Sequence, residues 1–243
     1  MREEVLQQLL EINARFYEEF GASFAATRRR IQPGMRGLLA RLPDEGCWLD
    51  LGCGSGALAA AWQAAGRKSE YAGLDFSTSL LAEARAAAPG ISFVQADLCD
   101  PDWLDHLPRR AYAGILAFAV LHHLPGADLR LRILRQVRSL LPPGGWFVHS
   151  VWQFQHSPRL LMRTLPWETV GLAEGDVEPG DTLLDWRSVL PDQPTRVGLR
   201  YVHLFSRAGL GVLAEQSGFA VRETFESDGA TGNLGLYQVW QAV

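Results

Sequence analysis

The run Leu49-Asp50-Leu51-Gly52-Cys53-Gly54-Ser55-Gly56 constrains this chain more than any other feature. Cys47–Leu51 reads as a short buried strand, apolar on both sides of the pleat apart from one acid. Glycines at alternate positions follow at once, and glycine is demanded where the backbone turns with positive φ or another group must approach it closely. A strand that breaks into such a turn and enters an alanine-rich helix, residues 57–65, begins a βαβ unit. The pattern then repeats. Tyr71–Leu74 reads as a second strand ending in Asp75, with Ser77 as N-cap of a helix Ser79–Ala88. Ile91–Ala96 is a third strand, ending in Asp97. Ile115–Phe118 is a fourth, followed by the loop Val120–Pro125 and a helix over 127–141 that stops at Pro142-Pro143-Gly144-Gly145. Trp146–Val151 is a fifth. Strands alternating with helices predict a doubly wound α/β fold whose parallel sheet is covered on both faces. A helix Ser206–Ser217 and two strands, Phe219–Phe225 and Leu236–Val243, complete seven strands. The turn Asp228-Gly229 joins the last two, so the final strand should run antiparallel.

Two segments stand outside this rhythm. Val5, Leu9, Ile12, Phe16 and Phe20 recur at helical spacing, and a short helix carrying Leu38, Leu39 and Leu42 follows Pro33; together residues 1–42 predict a helical cap. Residues 153–203 hold prolines and aromatics without a long periodic run, and read as an insertion over the active site. A single domain of 243 residues is expected. A net charge of −4 gives no global attraction to nucleic acid, so an RNA site would need a local basic patch. The acidic, amphipathic start is unlike a signal peptide, which makes the cytoplasm the expected compartment. Cys47, Cys53 and Cys99 are too few and too scattered for a disulfide framework or a zinc site, and no metal is expected.

Asp50, Asp75 and Asp97 fall at three successive strand ends, where open α/β sheets bind ligands. A carboxylate at Asp75 can accept two hydrogen bonds from ribose hydroxyls, each worth about 1.5–3 kcal/mol. Asp97 can take an adenine amino group, with Leu98 as an apolar wall. Gly52-x-Gly54-x-x-Ala57 also satisfies the relaxed dinucleotide fingerprint, but Asp50 beside the turn would repel a pyrophosphate and suits a cationic ligand.

LDLGCGSG, GLDFS, QADL, FAVLHHL and LLPPGGWF together, over residues 45–150, resemble the motif series of class I S-adenosylmethionine-dependent methyltransferases. The resemblance implies S-adenosylmethionine as cofactor. It places Asp50, Gly52, Cys53 and Gly54 at the methionine moiety, Asp75 and Phe76 at the ribose and adenine, and Asp97 and Leu98 at the adenine. Ala117, Phe118 and Leu121 would line the methyl-transfer side.

Three further segments resemble the tRNA wobble-uridine carboxymethyl methyltransferases: Phe24–Arg28 with Gln32-Pro33, Gly180–Arg187, and Arg200–Phe205, with Val151-Trp152 agreeing as well. Gln32, Asp185 and Arg187 depart from that subgroup's tryptophan, proline and histidine. The subgroup implies tRNA as a partner and, in eukaryotes, a small zinc-binding activator subunit. A carboxylate acceptor is already ionised at neutral pH and needs alignment more than a base. Arginine binds both carboxylate oxygens, so Arg28 and Arg200 are the candidate clamps, with Tyr201 and His203 beside them. A hydroxyl or amine acceptor would need a base, for which His122 and His123 are placed after the fourth strand. His149 reads as a hydrogen-bonded core residue. Arg28–Arg30 and the face Arg132, Arg135 and Arg138 are the best basic patches, and the helix face reads first as a solvated surface. Trp152, Phe154, Trp167, Trp186 and Tyr201 would stack on a base or form the insertion's own core. Three readings stay open: a tRNA carboxylate methyltransferase, a small-molecule methyltransferase, and a module that binds the cofactor without turnover.

Overall fold

The computed structural model describes residues 1–26, 30–188 and 196–243, and the side chains of all of these except 22–26 and 188. In chain order the elements are α1 (Glu3–Ala26), α2 (Pro33–Leu39), β1 (Cys47–Leu51), α3 (Ala57–Ala64), β2 (Glu70–Asp75), α4 (Thr78–Ala87), β3 (Ser92–Gln95), β4 (Gly114–Phe118), α5 (Ala127–Ser139), β5 (Trp146–Trp152), α6 (Pro158–Leu161), β6 (Thr164–Leu165), β7 (Asp181–Ser188), β8 (Arg196–His203), α7 (Arg207–Gln216), β9 (Phe219–Ser227) and β10 (Gly235–Ala242).

The main sheet runs β3-β2-β1-β4-β5-β10-β9. β1 pairs parallel with β2 and β4, and β10 lies antiparallel between β5 and β9. This is the expected doubly wound, seven-stranded, mostly parallel sheet with its last strand reversed. The order of strands turns back between β1 and β4, which opens a crevice above their carboxyl ends. Every residue of β1 is buried. Leu49 and Leu51 join one core with Ile115, Ile133 and Phe147. Trp48 faces the opposite core with Leu58, Trp62 and Tyr237. Ser77 caps α4 as expected, its hydroxyl accepting from Leu80 N at 3.4 Å. The β9–β10 connection is longer than the expected two-residue turn: it spans 228–234, with Asp228 and Gly229 both at φ 72°.

Residues 153–203 contain more order than their sequence signals. They build a second sheet, β6-β7-β8, antiparallel throughout, with β7 and β8 in register from Asp181↔His203 to Ser188↔Arg196. Its strands are covered on both sides, which erases the period-two alternation that marks a half-buried strand. Neighbours Leu183 and Leu184 are both buried, one with α1 residues Val5 and Leu9, the other with Phe154 and Val202. The amphipathic stripe of α1 is spent here, on β8. Asn13 makes the join specific: its Oδ1 accepts from Tyr201 N at 2.9 Å and its Nδ2 donates to His123 O at 3.0 Å. A second tie runs to α5, where Glu178 receives Ala127 N at 2.8 Å and Arg130 Nη2 at 2.5 Å.

Two expectations change. Arg132 donates to Cys99 O at 2.7 Å, Arg135 to Gln216 O at 3.4 Å, and Arg138 to Gly218 O and Leu141 O, both at 3.1 Å. The basic face of α5 therefore clamps loop carbonyls of its own chain. His149 is fully buried between Phe147 and Trp240, and neither ring nitrogen has a hydrogen-bond partner among the described residues. Burial holds its pKa down at about 3, so the ring is a neutral packing group instead of a hydrogen-bonded one. No helix among the described residues is long and apolar enough to cross a membrane.

Gly114 sits opposite Trp48 in the β1–β4 ladder, and a Cβ there would fall 2.2 Å from the indole ring. Gly114→Ala should therefore destabilise the fold by about 1–3 kcal/mol, the usual cost of overpacking a close-packed core, read as a lowered denaturation midpoint with an unchanged slope.

Candidate active site

The crevice above β1 and β4 is one wall of a cavity of about 1040 Å³ whose other walls come from α1 and the small sheet. Its floor is the glycine turn. Gly52 has φ 66°, and a Cβ on it would fall 2.6 Å from Cγ2 of Val120, so the post-β4 loop rests directly on the turn. Gly54 has φ 54°, and a Cβ there would meet nothing within 4 Å; it would project into open space beside the cavity. Asp75 fixes this geometry. One carboxylate oxygen accepts from Gly54 N at 2.8 Å and the other from Ser77 N at 2.9 Å. Each oxygen retains lone-pair capacity for a further donor. Burial pushes this carboxyl above its usual range, against the pull of those backbone donors.

Asp50 stands beneath the turn, 4 % exposed, and accepts from Tyr71 Oη. Burial raises its pKa to about 7, partly countered by the tyrosine. Cys53 lines the same wall, its N–H donating to Leu74 O at 2.9 Å. Asp97 is exposed at the tip of β3, accepting from Cys99 N at 2.9 Å, with Leu98 buried beside it. Phe76 meets Tyr17 edge-on at 5.8 Å. Asp50, Gly52, Gly54, Asp75, Phe76 and Asp97 thus share one wall with Cys53 and Leu98.

On the opposite side the placement departs from expectation. Phe118 lines the cavity; Ala117 and Leu121 do not. Ala117 points from β4 into the main core, and the helical turn Leu121–His123 turns Leu121 inward to the same core. Ala119 and Val120 line the wall in their place, Ala119 held at φ 58° with its N–H donating to Ser150 O at 3.0 Å. Strand alternation separates Ala117 from Phe118; beyond the end of β4, the positive φ at Ala119 and the helical turn that begins at Leu121 decide which residues face the cavity. A non-glycine residue at positive φ is uncommon and costs roughly 1–2 kcal/mol, a cost with no signal in the sequence.

His122 is fully buried, stacked on Trp152 at 5.1 Å and accepting its backbone N–H at 3.4 Å, away from the cavity. His123 is the histidine that faces it. Its Nδ1 lies 3.3 Å from Tyr201 O and its Nε2 lies 3.0 Å from Tyr17 Oη. A carbonyl only accepts, so the ring donates from Nδ1 to Tyr201 O. Arg200 borders the cavity with its guanidinium 4.9 Å from the Phe16 ring and 5.0 Å from the Trp152 ring, and is 2 % exposed. Its neighbours in sequence serve another purpose. Tyr201 Oη donates to Asp181 Oδ1 at 2.6 Å, and His203 Nδ1 lies 2.7 Å from the same oxygen, both outside the cavity wall. Glu178, Asp181 and His203 bring potential ligand atoms within 4.8 Å of one another. Their oxygens are already engaged by Arg130, Ala127 N, Glu178 N, Tyr201 and His203, so the cluster ties the small sheet to α5. Arg28 lies outside the described residues. Of the aromatics, Trp152 and Trp186 line the cavity, while Phe154, Trp167 and Tyr201 are buried in the small sheet's packing.

A family model described as a methyltransferase domain matches residues 24–224. A putative methyltransferase of Encephalitozoon cuniculi is 32% identical over 213 residues, covering 85% of this chain and 86% of that protein. Trans-aconitate 2-methyltransferase of Escherichia fergusonii is 35% identical over 148 residues, 60% of this chain; the match spans 54% of that relative's length. The CcbJ methyltransferase of Streptomyces caelestis shares the fold, with a TM-score of 0.62 at 22% identity over 84% of this chain and 92% of that one.

The Asp50 pKa carries a pH dependence. Its folded value lies above the ordinary aspartate value of 3.8, so the fold favours the protonated acid. That contribution is complete below about pH 4 and is lost as pH rises through about 7. Asp50→Asn should flatten this fall in stability, measured by urea denaturation at a series of pH values; an unchanged slope would show that Asp50 titrates normally.

Proposed function

The chain belongs to this methyltransferase domain family, and on that premise we propose that it transfers a methyl group from S-adenosylmethionine to a small-molecule acceptor held under the small sheet. The observation that carries the reading is the shared cavity: the acid-lined glycine turn and the capping segment face each other across it.

The residues present fit this cofactor. Gly54 leaves room where a side chain would intrude, and three carboxyl groups converge where a cation and a diol would lie. S-adenosylmethionine supplies a methyl group on a positively charged sulfur, activated for in-line attack. Asp75 holds the ribose hydroxyls, its own orientation fixed by Gly54 N and Ser77 N. Asp50, in its ionised form, balances the cationic end of the methionine moiety. Asp97 and Leu98 would hold the adenine, and Phe76 would contribute an aromatic surface to the same wall. A dinucleotide would have to bring a pyrophosphate against the same carboxyl groups, and Coulomb repulsion opposes that. Phe118, Ala119, Val120, Trp152 and Arg200 line the same cavity and would border the acceptor. Binding both partners in one cavity replaces a bimolecular encounter with an aligned one, worth up to about 7–11 kcal/mol.

A metabolite-sized acceptor has more support than a tRNA nucleotide. The relative with a named acceptor acts on trans-aconitate. The arginine face of α5, which the tRNA reading would have used, is committed to loop carbonyls. The comparisons lend no support to a zinc-binding activator subunit or to a cofactor-binding module without turnover.

Purified protein incubated with methyl-labelled S-adenosylmethionine and a cell extract, split into small-molecule and tRNA fractions, should label the small-molecule fraction. Label confined to tRNA would overturn the acceptor assignment. Asp75→Ala should lower kcat/KM for the cofactor by about ten- to a hundredfold, the loss of charge-assisted hydrogen bonds.

A further inference from the structure

The charges around the cavity are segregated by element. Asp50, Asp75, Asp97 and Asp100 come from the ends of β1–β3 and the loop after β3. Arg159, Arg163, Arg187 and Arg200 all come from the capping segment, and Arg30 adds to them from the stretch before α2. Two other acids border the space: Glu11 on α1, and Asp228, which is engaged by Gly34 N and Tyr237 Oη. The cofactor half is therefore acidic and the cap half is basic.

The arginines also differ in depth. Arg200 is 2 % exposed and borders the cavity with its guanidinium 4.9 Å from the Phe16 ring and 5.0 Å from the Trp152 ring, aromatic faces that stabilise a cation. Arg163 and Arg187 sit outward of it and share one buried carboxylate: Asp185 meets Arg163 Nη1 at 3.2 Å and Arg187 Nε at 2.7 Å. Among the described residues, these two guanidiniums share one acid, which leaves net positive charge at the cavity. Arg159 is exposed on α6 beside them.

From this arrangement we infer that the acceptor is a small polycarboxylate, with one carboxylate gripped by Arg200 as the methylated group and a second read by Arg163 and Arg187 nearer the mouth. The inference rests on the methyltransferase reading and narrows it to a substrate class. The chemistry balances without a base. An acceptor carboxylate oxygen forms its O–CH3 bond as the C–S bond of the sulfonium breaks and the electron pair returns to sulfur. A neutral methyl ester and a neutral thioether result, and no proton changes hands. The arginines neutralise the acid's remaining charge and align the attacking oxygen. Planar guanidinium forks suit planar carboxylates in pairs. At this polarity a cationic amine acceptor would be repelled.

The test uses the full chain saturated with S-adenosylhomocysteine, whose own binding is first measured by calorimetry. Citrate, succinate, acetate and neutral trimethyl citrate are then titrated as probes. Citrate and succinate should bind at least about tenfold tighter than acetate, the increment of one further charge-assisted contact, and trimethyl citrate should not bind. Arg163→Gln with Arg187→Gln, at half-exposed and exposed positions, should abolish the preference for citrate over acetate while S-adenosylhomocysteine affinity holds. Arg200→Lys should weaken all three acids. Product labelled from a cell extract should bind an anion exchanger and release its label as methanol in mild alkali. If S-adenosylhomocysteine binds but the acids bind no better than trimethyl citrate, or the product is cationic or alkali-stable, the polycarboxylate inference falls and the methyltransferase reading survives. If S-adenosylhomocysteine does not bind, that reading falls and takes the inference with it.

Discussion

One carboxylate organises the cofactor wall. Asp75, at the tip of β2, accepts hydrogen bonds from Gly54 in the turn after β1 and from Ser77 at the start of α4. The turn after β1 and the β2–α4 junction, 21 residues apart in sequence, are thereby held at one point, and the bond from Cys53 N to Leu74 O locks the turn against the same strand. The arrangement is costly because the acid is almost wholly buried, and burial pushes its carboxyl up. Backbone donors offset part of that cost, and a ligand that offers hydroxyl groups would offset more. A buried acid held by main-chain donors at a topological switch point is a site whose geometry exists before its ligand arrives.

The main sheet and the cofactor wall were legible in the sequence for a shared reason. β1 is buried on both faces and ends in a glycine turn, two signals that tertiary packing cannot disguise. The acids at the next two strand ends follow from the same alternation. The capping sheet was not legible, because burial on both sides of β7 and β8 removes the pattern that announces a strand: Leu183 and Leu184 are neighbours that face opposite cores. On the acceptor side the expectation slipped by a residue or two. Ala117 and Leu121 turned into the core, and Ala119 and Val120 took the wall, since only the register of β4 and the positive φ at Ala119 decide which residues face inward. The Tyr17–His123 contact joins residues 106 apart in sequence, and no local pattern could reveal it.

The two halves of the site have different architectural origins, and their charges follow that division. Acids come from the strand tips of the main sheet, and arginines come from the cap. The cap itself is anchored by interactions that never touch the cavity. Asn13 binds β8 to α1 and to the post-β4 loop, and the Glu178–Asp181–His203 cluster binds the small sheet to α5 through Arg130. Tyr201 and His203 belong to that anchorage, and Arg200, next to Tyr201 on β8, borders the cavity. Adjacent positions on one strand thus divide into scaffold and site, as strand alternation requires.

The central claim is that the glycine turn and its three acids hold a sulfonium nucleoside. Its most direct test is a calorimetric competition between S-adenosylmethionine and NAD for the purified chain. Saturable binding of S-adenosylmethionine, undisturbed by excess NAD, is the predicted result. Binding of NAD with no uptake of S-adenosylmethionine would contradict the account at its base.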